Sequence, residues 1–227
     1  RESSSRMMMM ATSRTLLLMS GGVESSVLIS QILESGRSPM PLFAHYSQRG
    51  AEQEHNAAVT ICEAAGLPEA PQILDLRTEG QAHQQINRLH IPLPHRNLAL
   101  LSLALGWATT HRCSQVALGL NQEDFLKDAE FQAAGGLRYT TGTLEFIDRF
   151  KALAAVVEPA VQVVLPQAHM TKADVVLEGE RLGVPLLQTY SCMRGRLLHC
   201  GTCLQCRARR TAFAEAGKRH LDVQYEA

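Results

Sequence analysis

The stretch Thr15 to Glu34, TLLLMSGGVESSVLISQILE, decides the fold. It opens with an apolar run, Thr15 to Met19, passes through Ser20-Gly21-Gly22, and continues from Val27 to Glu34 with helical spacing of its apolar residues. The order is strand, glycine-rich turn, helix. Two adjacent glycines let the backbone turn tightly and bring several N–H groups, the serine hydroxyls and the helix N-terminus toward one point. Such a cluster of donors suits an anion, and a phosphate is the natural guest. No Lys follows in the place a Walker loop requires, and the glycines are not spaced as GxGxxG. An ordinary strand-to-helix turn with a serine cap is the competing reading. The preceding strand and the trailing Ser25 and Ser26 weigh against it.

The same alternation continues along the chain. Leu42 to Tyr46, Ile73 to Leu76, Val116 to Gly119 and Val161 to Leu165 read as short strands. Ala51 to Ala65, Arg96 to His111, Thr143 to Val157 and Thr171 to Leu182 read as helices, with Gly66 to Pro68 and Gly183 to Pro185 as stops. Thr171 is the expected N-cap of its helix, and Asp174 favours that helix's positive end. Arg96 to His111 is almost uninterrupted in its apolar character, which predicts an element buried on most sides. Strands alternating with helices predict an α/β fold, a doubly wound and mostly parallel sheet with ligands at the carboxyl ends of its strands. Asn121 to Gly142 has a weak pattern and is longer than an ordinary connection, a type of segment that is usually functional or mobile.

Composition narrows the function classes. The chain has 227 residues, 22 Lys plus Arg against 22 Asp plus Glu, and 45% hydrophobic residues. That apolar fraction excludes disorder, and a zero formal charge gives no global field for a nucleic-acid backbone. No stretch approaches the roughly 18 to 20 apolar residues of a membrane helix. Arg1 to Met10, RESSSRMMMM, lacks the apolar run of a secretory signal, and roughly the first twelve residues read as a flexible leader with a start among Met7 to Met10. A cytoplasmic setting is therefore expected, where six cysteines bind metal or do chemistry more often than they form disulfides.

Four of the six are clustered. Cys200, Cys203 and Cys206 stand at intervals of three, with Cys192 eight residues upstream. That spacing can place four thiolates tetrahedrally around one Zn²⁺, leaving no open position and so implying a structural site; an iron–sulfur cluster is the alternative. Metal binding would couple to folding of a segment too small for its own core. Arg194, Arg196, Arg207, Arg209 and Arg210 are placed to relieve the cluster's charge, and His199 could replace one thiolate. Cys62 and Cys113 fall inside predicted helices among apolar neighbours and read as small core residues.

Polar residues gather after the strands. Tyr46, Gln48 and Arg49 follow the second, with Glu54 on the next helix; Pro94, Arg96 and Asn97 open the apolar helix; Gly119, Asn121, Glu123 and Asp124 follow the fourth. Thr171 and Lys172 open a later helix, where Lys172 could reach a phosphate or carboxylate. Each alone reads as a cap or solvated charge, but together they fall where an α/β sheet presents its ligand face.

SGGVESS at Ser20 to Ser26 resembles the pyrophosphate loop SGGxDS of the ATP pyrophosphatase superfamily, with Glu24 in the place of Asp. With it stand YSQR at Tyr46 to Arg49, PHRNLALLSLA at Pro94 to Ala104, GLNQED at Gly119 to Asp124, TKAD at Thr171 to Asp174, LGVPLLQTYSC at Leu182 to Cys192 and CGTCLQCRARRTAFAEAG at Cys200 to Gly217. Together they resemble the 7-cyano-7-deazaguanine synthase family of the queuosine pathway. The match spans most of the chain, and the cysteine-bearing tail is its most specific part.

The resemblance implies an adenine nucleotide alpha hydrolase-like domain over 13–189 and a four-cysteine, zinc-binding helical segment over 190–227. It implies an AMP-forming ligase that adenylates 7-carboxy-7-deazaguanine and uses ammonia to make the nitrile, with ATP, Mg²⁺ and Zn²⁺. By resemblance, Ser20, Glu24, Ser25 and Lys172 are the catalytic set. Ser20, Gly21, Gly22, Glu24, Ser25, Ser26, Gln48, Arg49, Arg96, Asn97, Gly119 and Asn121 hold nucleotide or substrate, and Cys192, Cys200, Cys203 and Cys206 hold metal. The expected partners are the deazapurine carboxylate and ammonia; a homodimer is compatible with the resemblance, and a protein partner with a changed acceptor. No membrane or nucleic-acid partner is expected. Two departures bear on the acceptor. Gly50 stands where the family has His, and LRYTTGTLEFI at Leu137 to Ile147 stands where the family has a Gly-Tyr-Pro-Asp-Cys-Arg run before its Glu-Phe-Ile. A member acting on another carboxylate and a catalytically inactive nucleotide-binding paralogue remain as rival readings; a tRNA-thiolating enzyme would want catalytic cysteines near the active face.

Overall fold

A computed structural model describes residues 13–83, 93–125 and 140–226. The proposed leader, roughly the first twelve residues, and much of the weakly patterned segment after Phe125 lie outside the described residues. In chain order the elements are β1 (Arg14–Leu18), α1 (Val23–Glu34), β2 (Ser38–His45), α2 (Ala51–Ala64), β3 (Gln72–Asp75), α3 (Arg77–His83), α4 (Arg96–Thr110), β4 (Gln115–Leu118), α5 (Leu144–Val157), β5 (Gln162–Val164), α6 (Lys172–Arg181) and α7 (Leu204–Glu215). All strands are parallel, in the order β3-β2-β1-β4-β5.

Alternation along each strand builds a core on both faces, because successive side chains point to opposite sides. Leu16, Leu42 and Val116 join Leu101, Ala104 and Ile147 of α4 and α5 on one face. Leu17, Phe43 and Ala117 join Val27, Ala58, Val176 and Phe213 of α1, α2, α6 and α7 on the other. The sheet is doubly wound, and its strand order reverses between β1 and β4. At that reversal the loops leaving the two strands diverge and leave a crevice.

Several local expectations are corrected. Helix α1 starts at Val23, not Val27, because Ser25 and Ser26 bond back to the Gly22 carbonyl, at 3.3 and 2.7 Å, instead of breaking the helix. Strand β2 begins at Ser38, through two prolines. Ser38 N donates to Ser13 O and Leu42 O accepts from Met19, so the alternate residues Pro39 and Pro41 turn away from β1. Pairing with β3 begins only at Leu42, so no ladder donor is lost. Helix α4 buries only Leu101, Ala104, Leu105 and Ala108, while Leu98 is 42% exposed, because it covers a single sheet face. Cys113 lies between α4 and β4, not in a helix, and both it and Cys62 are buried with thiol pKa values pushed up by desolvation. Helix α3 was not anticipated; its signal is Asp75, whose carboxylate accepts from Arg77 N at 3.1 Å. Thr171 does cap α6, in a reciprocal box with Asp174.

Candidate active site

The turn after β1 opens at the crevice. Gly21 adopts φ +73°, and a Cβ there would lie 2.3 Å from the Glu54 carbonyl, so only glycine permits both the turn and the close approach of α2. Gly22 is the N-cap of α1 and offers no side chain, which leaves the first-turn N–H groups for a ligand or water. The hydroxyls divide their roles. Ser20 is exposed on the crevice side, with Oγ 3.1 Å from Ser25 Oγ, whereas Ser25 and Ser26 are buried and brace the loop from behind.

Acid and base meet beside this turn. Lys172 Nζ, at the start of α6, forms an ion pair with Glu24 Oε1, and Asn121 Nδ2 donates to the same oxygen at 3.0 Å. Both charged side chains are largely buried, 7% and 16% exposed. Burial opposes the ammonium charge, but Glu24, with Asp124 and Glu123 behind it, prevails and holds the Lys172 pKa above that of an ordinary amine. The turn after β4 is tied in by the Asn121 side chain, which accepts from Glu123 N, and by Glu123, which accepts from Lys172 N at 3.0 Å. Gln167, fully buried, anchors α1 from below by donating to Glu24 O.

Ser20, Glu24, Asp124 and Lys172 border a cavity of about 360 Å³. Of the residues expected from sequence, Ser20, Gly22, Glu24, Gln48, Arg49, Arg96, Asn97, Gly119 and Lys172 line it. Gly21, Ser25, Ser26 and Asn121 stand behind that lining. Arg96 donates to Tyr46 Oη at 3.1 Å, and Asn97 donates to Thr141 O at 2.8 Å, which ties the loop before α5 to the cavity. Residues 137–139 of that loop lie outside the described residues. Sequence reasoning missed the opposite wall, Tyr190, Ser191, Met193 and Gln205, which comes from the cysteine-bearing segment. Its signal is positional: Tyr190 N donates to Gly21 O at 2.8 Å, a tertiary contact that no local pattern encodes.

The four cysteines converge. Their sulfurs all lie within 4.8 Å of one another, and Cys200 and Cys206 Sγ are 3.9 Å apart. Zn–S bonds of about 2.3 Å arranged tetrahedrally put sulfurs roughly 3.8 Å apart, so the set fits a metal such as zinc. Backbone N–H groups of Cys203 and Cys206 donate to Cys200 and Cys203 sulfurs at 3.3 and 3.4 Å. Burial raises the Cys200 thiol, but bonds from Thr202 and Cys203 outweigh it and bring the pKa to about 6. Two expectations are corrected. His199 is no substitute ligand, because its Nε2 accepts from Ser191 N at 2.9 Å. Arg209 does not serve the cluster; it is fully buried against Asp222 at 2.6 Å and against Thr189, while Arg196 pairs with Glu226 and Arg210 lies over Tyr225.

Comparison with known proteins adds relatives to this geometry. A family described as "Queuosine biosynthesis protein QueC" matches residues 14–217. A 7-cyano-7-deazaguanine synthase from Xanthomonas oryzae pv. oryzae is 33% identical, covering 90% of this chain and 94% of its own. 7-cyano-7-deazaguanine synthase 1 from Sphingopyxis alaskensis is 30% identical over 92% and 96%. Among solved structures, NMN synthetase from Francisella tularensis aligns with a TM-score of 0.57 at 15% identity, over 96% of this chain and 80% of that one. A U34-tRNA thiolase from Methanococcus maripaludis, with its [4Fe-4S] cluster, aligns at 0.51 and 14% identity, over 92% and 69%. At those identities the structures show a shared fold alone. No helix among the described residues is long and apolar enough to cross a membrane.

Proposed function

The chain belongs to the QueC family of queuosine biosynthesis proteins, and from that premise we propose that it converts 7-carboxy-7-deazaguanine and ammonia to 7-cyano-7-deazaguanine at the cost of two ATP. The observation that carries the reading is the Ser20 to Ser26 turn, opening at the strand-order reversal onto a cavity that Lys172 and Glu24 border. In the first half-reaction the acceptor carboxylate oxygen attacks the α-phosphorus of ATP and pyrophosphate leaves. Ammonia then displaces AMP to give the amide, releasing a proton. In the second, the amide oxygen attacks a second ATP, and loss of AMP and a proton leaves the nitrile. No oxidant and no side-chain nucleophile are required.

The chain's own residues serve charge. The turn's N–H groups and the α1 N-terminus receive the phosphates. Lys172, held cationic by Glu24, supplies positive charge where the pyrophosphate departs. Asn121 holds the Glu24 carboxylate in place, and Arg96 and Asn97 face the same space from the other side. The carboxylates of Glu24 and Asp124 at the cavity fit a Mg²⁺ ion accompanying the triphosphate, which would supply charge neutralisation there. Cys192, Cys200, Cys203 and Cys206 would hold a structural Zn²⁺ whose closed shell fixes the cavity wall. A compact unit over 13–189 with the cysteine segment over 190–227 remains the division we propose.

Incubation of metal-replete protein with ATP, ammonia and 7-carboxy-7-deazaguanine, read by mass spectrometry, tests the assignment: AMP and nitrile are expected, and the absence of both removes it. A changed acceptor is the second reading, favoured by Gly50 and by LRYTTGTLEFI. It gives AMP only with some other carboxylate.

A further inference from the structure

Two facts at the start of α2 belong together. The Glu54 side chain borders the cavity with one oxygen fixed and one open. Gln48 Nε2 donates to Oε2 at 3.0 Å, and Gln48 is itself pinned, accepting from Tyr46 N at 2.9 Å and donating to Ala44 O at 3.0 Å. Oε1 has no hydrogen-bond partner among the described residues. Burial raises the Glu54 pKa, with Gln48 and the more distant Arg96 opposing it only in part. A carboxyl that is desolvated and half-satisfied in a ligand cavity is placed for donors that arrive with the ligand.

The second fact is Gly50. A Cβ on it would lie 3.1 Å from Glu54 Oε1 and 3.3 Å from both Tyr190 Cε1 and the Cys192 carbonyl. The missing side chain is what gives the Glu54 carboxylate its room. Gly50 and Glu54 are thus one feature, a glycine packed so closely that a side chain there would crowd the acid beside it.

We propose that Glu54 is the specificity-determining residue for the acceptor, its carboxylate accepting from the ring N1–H and the 2-amino group of a guanine-type base. The inference rests on the acceptor reading above. A carboxylate accepts but does not donate, and a guanine-type edge carries two donors side by side, whereas an adenine presents a single amino group beside an acceptor nitrogen. Glu54 therefore distinguishes the acceptor from the base of the nucleotide that shares the cavity. Tyr190, beside Gly50, lines the same cavity.

The test is steady-state kinetics of zinc-loaded wild type, E54Q and E54A with saturating ATP and ammonia. The acceptors are 7-carboxy-7-deazaguanine and its analogue lacking the 2-amino group. Wild type is expected to prefer the amino-bearing acceptor by about thirtyfold or more in kcat/KM, since an unpaired buried acceptor penalises the analogue. E54Q is expected to raise the acceptor KM about tenfold or more, to leave the KM for ATP unchanged and to shrink the preference below about threefold. E54A removes the carboxyl altogether, and the same loss of preference is expected; it decides the matter if E54Q is poorly folded. Discrimination that survives both substitutions, or a KM for ATP that rises with that for the acceptor, overturns the inference. Normal wild-type turnover with an unchanged E54Q removes this inference alone, whereas a wild type that makes no nitrile removes the acceptor reading and this inference with it.

Discussion

The turn at Ser20 to Ser26 and the knuckle at Cys200 to Cys206 have the same outline. Each is a short glycine-bearing segment that ends in a helix N-cap, Gly22 for α1 and Cys203 for α7. They differ in what fixes them. The first hangs between a central strand, paired on both sides, and a helix packed on the sheet, so its geometry is complete before any ligand arrives. The second has no strand of the main sheet, and its three thiols, with that of Cys192, would repel once ionised unless a cation lies between them. One loop is made by the sheet and the other by a shared charge, yet both face the same cavity.

The widest expected gap between them comes from Cys206→Ser. Cys206 is fully buried, and its loss should empty the metal site, release the wall of Tyr190 and Met193, and lower turnover about a hundredfold or more. Zinc per chain by elemental analysis, with turnover and melting temperature, checks this. A variant that keeps both metal and activity would put the knuckle in the same class as the turn.

Gly21→Ala strikes the other member of the pair. The substituted backbone would keep φ near +73° only under strain, and the new methyl would sit 2.3 Å from the Glu54 carbonyl, which a helix cannot easily yield. A loss of about 2–4 kcal/mol is expected, seen as a lower urea midpoint at constant m, with full metal content. Concurrent loss of metal would show that the two regions fold as one unit and would weaken the contrast.

That contrast also explains what was legible in the sequence. Ser20 to Ser26 and the four cysteines are dense local signals whose spacing alone suggests a chemistry. Thr171, with Asp174 three residues on, announced its cap for the same reason. The start of α1 was misplaced because Ser25 and Ser26 favour caps by propensity, while here their hydroxyls bond back one turn to the Gly22 carbonyl within the helix. The burial on most sides expected for α4 failed because apolar composition does not say how many neighbours an element has. Tyr190, Met193 and Gln205 were invisible as cavity residues, since contact between the two halves depends on the Tyr190 to Gly21 bond across the chain. Glu54 was noted only as one of the polar residues gathered at the ligand face; its meaning depends on how closely Gly50 packs beside it.

Glu54 supplies the smallest effect, and its sign is the informative part. Burial raises its pKa in the folded protein above the unfolded value of about 4.3, so the native state retains its proton to higher pH than the unfolded chain does. Below the unfolded pKa both states are protonated and there is no penalty. As pH rises through the folded pKa the native state must charge a buried group, and stability falls by a fixed amount. Glu54→Gln removes that cost while keeping an amide in place for Gln48, so a gain of about 0.5–2 kcal/mol is expected at pH 7.5, shrinking toward zero near pH 4. Urea denaturation of the two proteins at both pH values measures it, and acid release of the metal cancels because both share the same cysteines. A substitution that stabilises the chain while weakening acceptor binding would mark Glu54 as a group kept for a ligand. The opposite slope, with the variant losing stability as pH rises, would mean that Arg96 pairs with the carboxylate and that the acid belongs to the framework, like the bonds that hold the turn.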